Sequence, residues 1–243
     1  MSQAVQTAPL DDPAAPLKIW VTNQTEAGYR AGAANKEPWT YNFIHGMPQG
    51  SVFWDVGANV GSYSLMAAAR GHVVIAVEPA FANFAQLQRN AILNGLNERI
   101  VCLPFALGDG SAISWFQLAS LQPGAAAHVL GQPVGNVPQY FHRVGVPVMR
   151  LDALVKLFKL PPPSHLKIDV DGAERAVLTG LEKVVGGLKG IMIEMRLDQE
   201  PELVALIESW GLPMVGRFDQ RGGQLIQGIC YGWFARPEPE AVK

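Results

Sequence analysis

The stretch VFWDVGANVGSYSLMAAARGHVVIAVE, residues 52–78, decides the fold of this chain. It opens with the apolar run Val52–Val56, which is typical of a strand buried on both faces. Two glycines, Gly57 and Gly61, come next, followed by a run with helical spacing and a second apolar run that ends in Glu78. This order predicts a βαβ unit with a glycine-rich first turn and an acidic residue at the tip of its second strand.

The glycine-rich turn has the composition of a ligand-binding loop. Because Gly57 and Gly61 carry no Cβ, a ligand can come against the backbone N–H groups of the loop residues Ala58 and Asn59. In open α/β sheets, this loop and the tip of the second strand lie side by side where ligands bind. A carboxylate at Glu78 can accept hydrogen bonds from both hydroxyls of a ribose. We therefore expect a ligand with a ribose and an anionic group.

Two common ligands meet that description, and the spacing of the turn separates them. Dinucleotide-binding turns favour G-x-G-x-x-G, whereas this turn reads G-x-x-x-G with Asn59 where a pyrophosphate would need a glycine. Asp55, just before the turn, would repel a pyrophosphate but can pair with the ammonium of an amino-acid ligand. S-adenosylmethionine has both an amino-acid end and a ribose, so we predict it as the ligand. An NAD-type nucleotide fold with a variant turn remains the alternative.

Size and composition narrow the class of protein. A chain of 243 residues with 49% apolar residues can bury one good core. The net charge is −2 and no basic block stands out, which disfavours a general nucleic-acid-binding surface. The start of the chain lacks a basic region and an apolar region of a signal peptide, and no stretch approaches the length of a membrane span. We expect a cytoplasmic protein with no nucleic-acid or membrane partner.

The same composition predicts the domain organisation. Residues 1–17 contain three prolines among small and acidic residues and are expected to form a disordered arm. Residues 18–243 are expected to form one domain, whose aromatic segment before Val52 either packs against the first strand or supplies part of a pocket. An insertion or lid is expected at about 111–149, because long loops in compact domains tend to be functional. Three residues of this insertion could meet a substrate, although each alone is expected at the surface: His128, Tyr140 and His142.

Later segments add carboxylates to the same sheet edge. The third strand, Ile100–Pro104, leads to Asp109, which could accept a hydrogen bond from an adenine amino group or could mark a turn. The buried strand His165–Val170 is followed by Asp171, and a hairpin near the end of the chain would place an antiparallel strand in the sheet.

Three carboxylates crowd around the end of the strand HLKIDV: Asp169, Asp171 and Glu174. Their mutual repulsion would raise the pKa of at least one of them, and such arrangements are commonly functional. Acidic residues also favour the N-terminus of the helix that follows, which would explain Glu174 without any role in chemistry.

Taken together, six segments resemble the FkbM family of S-adenosylmethionine-dependent methyltransferases and occur in that family's order. They are DVGANVGSYSL (residues 55–65), AVEP (76–79), ALGD (106–109), LDAL (151–154), KIDVDGAERAVLTG (167–180) and the strand that ends at Glu194.

The resemblance implies a class I methyltransferase fold, which is a Rossmann-like three-layer α/β sandwich. Its seven-stranded sheet would be mostly parallel with an antiparallel last strand. It also implies transfer of a methyl group, usually to a hydroxyl oxygen of a small molecule or a sugar-containing acceptor. By position, the Asp55–Gly61 loop would hold the methionine part of the donor, Glu78 and the adjacent Pro79 the ribose, and Asp109 the adenine. Asp169 and Asp171 would face the methyl group.

Two versions of the chemistry remain at this stage. In the first, Asp169, with a pKa raised by Asp171 and a dry site, takes the proton of the acceptor hydroxyl. In the second, the same two carboxylates and Glu194 hold a divalent cation that lowers the pKa of the hydroxyl. We favour the version without metal. The functional alternatives are an NAD-type oxidoreductase, an N-methyltransferase, an RNA methyltransferase and a binding module without chemistry, and a homodimer is a candidate assembly.

Overall fold

The computed structural model describes residues 6–131, 142–221 and 224–237. The strands are β1 (Thr7–Pro9), β2 (Lys18–Trp20), β3 (Val52–Val56), β4 (Val73–Val77), β5 (Ile100–Leu103), β6 (Ala106–Leu107), β7 (Ala112–Leu118), β8 (Val129–Leu130), β9 (His142–Met149), β10 (His165–Ile168), β11 (Gly190–Arg196), β12 (Met214–Phe218), β13 (Gln220–Arg221), β14 (Gln224–Leu225) and β15 (Ile229–Ala235). The α-helices are α1 (Ala33–Lys36), α2 (Pro38–Gly46), α3 (Ser62–Ala69), α4 (Phe81–Leu93), α5 (Leu151–Phe158), α6 (Glu174–Thr179) and α7 (Glu200–Ser209). A π-helical segment spans Thr25–Arg30, and a 3-10 helix spans Glu182–Gly187.

A seven-stranded sheet forms the centre of the molecule, in the order β12-β15-β11-β10-β3-β4-β5. The pairings that join β11, β10, β3, β4 and β5 are parallel, whereas β15 pairs antiparallel with both β11 and β12. The antiparallel last strand was predicted from the hairpin at the end of the sequence. The sheet as a whole is mixed, which corrects the prediction of a mostly parallel sheet. The reason is that β15 makes both of its ladders in the antiparallel sense after a hairpin connection from β12.

Helices cover both faces of this sheet. Successive residues of β3 point to opposite faces, so Phe53 packs into the core beside α2, α3 and α4, and Trp54 packs into the core beside α5, α6 and α7. Both side chains are fully buried. The apolar runs in the central strands therefore reflect burial on both faces, and the arrangement is a three-layer mixed α/β fold.

The N-terminal segment is ordered over the part that the structure describes, so the prediction of a disordered arm over 1–17 is wrong for residues 6–17. Strand β1 pairs antiparallel with β2, and Leu10 and Leu17 are buried in the core. The Asp12 carboxylate accepts hydrogen bonds from Arg70 Nη1 and Nη2 at 2.8 and 3.0 Å. Apolar burial and this ion pair offset the flexibility that the prolines suggested. The first five residues lie outside the described part of the chain.

The predicted insertion, with β7 and β9 as its longest strands, contributes most of a second sheet. The four strands of this sheet have the order β6-β9-β7-β8, and they enclose a small apolar core. That core consists of Ala80, Ala106, Phe116, Leu118, Val146 and Val148. The loop between β7 and β8 returns toward the carboxyl ends of β3 and β4. Residues 132–141, which include Tyr140, lie outside the described part of the chain.

Within the described residues, no helix combines the length and the apolar character needed to cross a bilayer.

Candidate functional site

A cleft of about 900 Å³, measured to its open mouth, lies at the carboxyl ends of β3, β4 and β10. Three parts of the chain form its walls: the ends of the central strands, the N-terminal segment and the insertion. The strand ends contribute Val56, Gly57, Ala58, Asn59, Val77, Glu78, Pro79, Lys167, Asp169 and Asp171; the N-terminal segment contributes Arg30, Ala33 and Lys36; the insertion contributes Phe116, Ala125, Ala126, His128 and Leu130. The cleft therefore lies where the sequence places the ligand.

The glycine-rich turn brings the strand ends close together. The backbone N–H groups of Gly57 and Ala58 both donate to the carbonyl oxygen of Val77 at 3.0 Å. Gly57 has φ +80°, and a Cβ there would overlap the carbonyl oxygen of Asp169. Gly61 has φ +90°, and a Cβ there would overlap the Leu87 side chain of α4. Gly57 thus lines the cleft, whereas Gly61 lies outside the lining and allows α4 to pack closely.

Glu78 is held in one orientation on the wall of the cleft. It is 4% exposed, and its two carboxylate oxygens accept backbone N–H groups from Asn59 and Ala80, each at 2.8 Å. Burial raises the pKa of Glu78 to about 7, although both N–H groups act in the opposite direction. Each oxygen keeps a second lone pair, so the carboxylate can still accept hydrogen bonds from a ligand such as a ribose.

Asp55 contacts an internal cation instead of facing the cleft. It is 1% exposed and lies outside the cleft lining. Its Oδ2 accepts a hydrogen bond from Ser64 Oγ at 2.6 Å, and its Oδ1 lies 3.7 Å from Lys167 Nζ. Burial raises the pKa of Asp55, and the charge of Lys167 opposes this effect. The predicted pairing of Asp55 with a ligand ammonium is corrected accordingly, because the chain's own ammonium lies beside this carboxylate.

Lys167 is a site residue that the sequence reasoning missed. It lies in the buried strand β10, lines the cleft, and donates from Nζ to Asp169 Oδ2 at 3.1 Å. The carboxylates of Asp169 and Asp55 favour its charged form and act against burial, so the net effect is a raised pKa for Lys167. A lysine inside a buried strand requires anionic partners, and this requirement was the available signal in HLKIDV.

The structure also corrects the predicted contact between Asp109 and the adenine of the donor. The Asp109 residue is exposed and lies outside the cleft lining, and its backbone oxygen accepts a hydrogen bond from Arg150 Nη1 at 3.1 Å. At this end of the cleft, the lining consists of the apolar residues Phe105, Ala106 and Leu107. Two apolar residues of the sequence block ALGD, Ala106 and Leu107, therefore line the cleft, whereas its acid does not, and the position of the adenine stays a prediction.

Two carboxylates of the acidic cluster, Asp171 and Glu174, have a raised pKa, and of these two only Asp171 lines the cleft. Asp171 has φ +52°, and although the residue is exposed at the rim, it lines the cleft. Loss of hydration and the charges of Asp169 and Glu174 raise the pKa of Asp171 to about 7, opposed by a hydrogen bond from the N–H of Ala127. Glu174 itself is buried outside the lining, where its Oε1 accepts the N–H of Gly172 at 3.0 Å.

The three candidate metal ligands are not brought together. Asp169 and Asp171 line the cleft, but Glu194 lies outside the lining and accepts a hydrogen bond from the Tyr231 hydroxyl. No group of three or more His, Cys, Asp or Glu side chains in the described ranges could hold a metal ion.

Several other lining residues come from segments whose position the sequence did not reveal. Arg30 donates from Nε to the carbonyl oxygen of Gly124 at 2.8 Å. Lys36 Nζ lies 2.9 Å from Glu37 Oε1, and burial lowers the pKa of Lys36. His128 is buried rather than at the surface, and burial lowers its pKa to about 4, so its ring is neutral at pH 7. These placements depend on contacts between distant parts of the chain.

Comparison with known proteins agrees with this architecture. The family model described as the methyltransferase FkbM domain matches residues 55–211. Hexuronic acid methyltransferase AglP from Haloferax volcanii is 23% identical over 158 residues, which cover 65% of this chain and 61% of AglP. The 31-O-demethyl-FK506 methyltransferase FkbM from Streptomyces tacrolimicus is 28% identical over 197 residues, which cover 70% of this chain and 75% of that protein.

A solved structure shows the same fold. The methyltransferase FkbM from Methylobacillus flagellatus superposes with a TM-score of 0.50 at 15% identity, and the match covers 76% of this chain and 43% of that one. The family model spans the glycine-rich turn, the Glu78 strand end and the acidic cluster. Because this match covers more than half of the sequence, the chain belongs to the FkbM family of methyltransferases.

Proposed function

We propose that this protein transfers a methyl group from S-adenosylmethionine to a hydroxyl oxygen of a small-molecule or sugar-containing acceptor. Family membership makes the protein a methyltransferase, and the family and fold imply S-adenosylmethionine as the donor. The preference for oxygen is supported by two relatives. One is named for hexuronic acid and the other for the 31-O-demethyl form of FK506. An NAD-type oxidoreductase finds no support in these matches.

The residues of the cleft fit such a donor. Glu78 presents oriented carboxylate oxygens for ribose hydroxyls, with both of its backbone hydrogen bonds already made. Phe105, Ala106 and Leu107 offer an apolar surface suited to an adenine ring. The loop at Gly57, Ala58 and Asn59 separates the Glu78 wall from the acidic cluster, so a ligand that extends along it would reach Asp169 and Asp171.

The observation that carries the proposed chemistry is that Asp171 lines the cleft together with Asp169, where loss of hydration and the neighbouring charges raise its pKa. A carboxyl group with a pKa of about 7 exchanges its proton at neutral pH, which is the property required of a general base. Methyl transfer forms a carbon–oxygen bond as the sulfur–carbon bond breaks, leaving a neutral thioether, and the hydroxyl proton passes to Asp171. Asp169, held by Lys167, would orient the acceptor hydroxyl. Holding the acceptor in line with the methyl group supplies much of the rate.

The test is methyl transfer from donor labelled with ¹³C in its methyl group. The acceptor panel would contain uronic acids, neutral sugars, hydroxylated macrolides, primary amines and RNA. We expect a methoxy carbon signal in the NMR spectrum of a hydroxylated product. A methylamine signal would favour the N-methyltransferase alternative, and labelled RNA would favour the RNA methyltransferase. If S-adenosylhomocysteine binds but no acceptor is labelled, a binding module without chemistry becomes the better description.

The proposal includes the remaining expectations from the sequence. We propose a cytoplasmic protein that acts without a metal ion, has no nucleic-acid or membrane partner, and forms a homodimer as its candidate assembly. If turnover is lost in EDTA and restored by magnesium, the mechanism that uses a divalent cation replaces the one without metal.

A further inference from the structure

Among the described residues, three cationic side chains line the cleft, and two of them have carboxylate partners. Lys167 Nζ lies 3.1 Å from Asp169 and 3.7 Å from Asp55. Lys36 Nζ lies 2.9 Å from Glu37. Within the walls of the cleft, these two ammonium groups therefore have carboxylate partners from the chain itself.

Arg30 differs from both lysines. Its side chain is half-buried, and its Nε donates to the carbonyl oxygen of Gly124 at 2.8 Å. The guanidinium also lies 5.1 Å from the centre of the Tyr29 ring. Among the residues that the structure describes, no carboxylate lies within 4.0 Å of this guanidinium, and its two Nη groups make no hydrogen bond. The backbone contact fixes the side chain, and four N–H groups remain for a ligand.

Arg30 lines the same cleft as Glu78, Asp171 and His128. Its backbone oxygen accepts a hydrogen bond from Ser62 Oγ at 2.9 Å, which places the residue over the first turn of α3. The positive charge of Arg30 opposes the rise in the pKa of Glu78 and of Asp171. It also adds to the effect of burial in lowering the pKa of His128. The guanidinium charge therefore acts both on the residue proposed for the ribose and on the residue proposed for the chemistry.

We propose that Arg30 binds a carboxylate of the ligand that fills the cleft. A planar guanidinium can bind a carboxylate through two parallel hydrogen bonds, and the nearby N-terminus of α3 favours the same charge. The inference rests on the proposed function, in which two carboxylates could enter: that of the methionine end of the donor, or that of an acidic acceptor such as a uronic acid. Both sources present the same chemistry to Arg30.

The experiment compares Arg30→Gln, Arg30→Lys and wild type by calorimetry. The first probe pair is S-adenosylhomocysteine and its decarboxylated analogue, which keeps the amine. If Arg30 binds the carboxylate of the donor, Arg30→Gln should weaken binding of S-adenosylhomocysteine by about 10- to 100-fold, as expected for a charged hydrogen-bonded pair. The affinity for the decarboxylated analogue should be nearly unchanged. Arg30→Lys keeps the positive charge but lacks the planar guanidinium, so its affinity for S-adenosylhomocysteine should lie between those of wild type and Arg30→Gln. Thermal melting curves would verify that each variant is folded.

The second probe pair, glucuronate and glucose, is added to protein saturated with S-adenosylhomocysteine. If Arg30→Gln binds glucuronate more weakly than wild type does, while its binding of the other probes is unchanged, the carboxylate belongs to the acceptor. This outcome also supports the inference. Arg99→Gln, a change at an exposed arginine outside the cleft, is the matched control. The inference is overturned if wild type binds S-adenosylhomocysteine and Arg30→Gln binds every probe equally well. Wild type that binds none of the probes would overturn the proposed function as well.

Discussion

At the residue scale, Asp171 combines a position in the cleft with a pKa of about 7. Because the deprotonated carboxylate is required to accept a proton, kcat/KM should rise with pH and level off above about 7. Asp171→Asn removes the base and should lower kcat by roughly 10²- to 10⁴-fold. The measurement is a pH–rate profile of wild type and the variant. Asp109→Asn is the matched control, since it changes an exposed acid outside the cleft and should leave the profile intact.

The same carboxyl group should affect stability with a definite sign. Its folded pKa, about 7, is above its ordinary value of 3.8, so between these pH values the folded protein retains a proton that the unfolded chain has lost. The contribution of Asp171 to the free energy of unfolding therefore falls as pH rises from about 4 to 7. Asp171→Asn should be more stable than wild type at pH 8 and nearly equal at pH 4, by urea unfolding. If Asp171→Asn is less stable than wild type at pH 8, the repulsion between Asp171 and the charges of Asp169 and Glu174 is contradicted.

Lys167 and Asp55 form a buried pair whose two members depend on each other. Their side chains are 3% and 1% exposed, and Lys167 also holds Asp169. Lys167→Met leaves a buried carboxylate without its counter-charge and should cost about 3–5 kcal/mol of unfolding free energy. Adding Asp55→Asn should recover part of that loss, because the uncompensated charge is removed. Purely additive losses in this double-mutant cycle, measured in urea at pH 7, would show that the two groups are not coupled.

The site could be predicted from the sequence only where a short motif carries the geometry. Glu78 and the turn from Gly57 to Asn59 do line one cleft, since a strand, a turn and the next strand tip are neighbours by topology, and their contact with the donor stays a prediction. Asp55 was assigned the wrong partner because its counter-charge, Lys167, lies 112 positions away in the sequence. No local pattern reveals Arg30 as part of the cleft.

At the element scale, the turn after β3 is expected to tolerate no side chain at Gly57. A Cβ there would overlap the backbone of Asp169, in addition to the strain of φ +80°. Gly50→Ala is the matched control, with φ +76° and no atom of the described residues within 4 Å of the added Cβ. The control should cost about 1–2 kcal/mol, and Gly57→Ala several kcal/mol more, together with loss of S-adenosylhomocysteine binding. Equal losses of unfolding free energy would mean that β10 can move away from the turn.

Elements with strong local patterns were predicted, and those fixed by distant side chains were not. The βαβ unit follows from apolar runs around glycines, and the hairpin near the end of the chain was read from its turn. Strand β2, in contrast, is held by one side chain of α4 and one from the residue directly after it: the N–H groups of Trp20 and Lys18 donate to Asn90 and Asn94 at 2.8 and 2.9 Å. Composition alone does not reveal such contacts.

The loop between β7 and β8 illustrates the same limit. The Asn59 and Asn83 side-chain amides both donate to the carbonyl oxygen of Ala125, and the N–H of Gly124 donates to Asn83 Oδ1. This segment was expected to be an insertion or lid because of its length and composition. Its attachment to the glycine-rich turn and to α4 makes it a wall of the cleft, and whether it also opens remains a prediction.

At the scale of the whole molecule, the mixed sheet brings three distant segments to one edge. The ends of the central strands carry Glu78 and Asp171, the N-terminal segment supplies Arg30, and the insertion supplies His128. The N-terminal segment packs in the same core as Phe53 of β3, whereas the insertion has a small core of its own, and all three segments line one cleft. A ligand that fills this cleft would therefore contact all three segments together, and its binding energy should add to the stability of the whole folded chain.

This linkage gives a test that discriminates between the donor and the nucleotide alternative. A ligand that binds only the folded state adds about 2.7 kcal/mol at 100 times its Kd, which for a chain of this size corresponds to a rise in Tm of about 5–10 °C. We expect S-adenosylhomocysteine to raise Tm in this way and NAD to leave it unchanged. Glu78→Gln should reduce the shift, because one oriented carboxylate oxygen is replaced by a donor, whereas Asp109→Asn should retain it. A shift with NAD alone would contradict both the donor and the placement of its ribose beside Glu78.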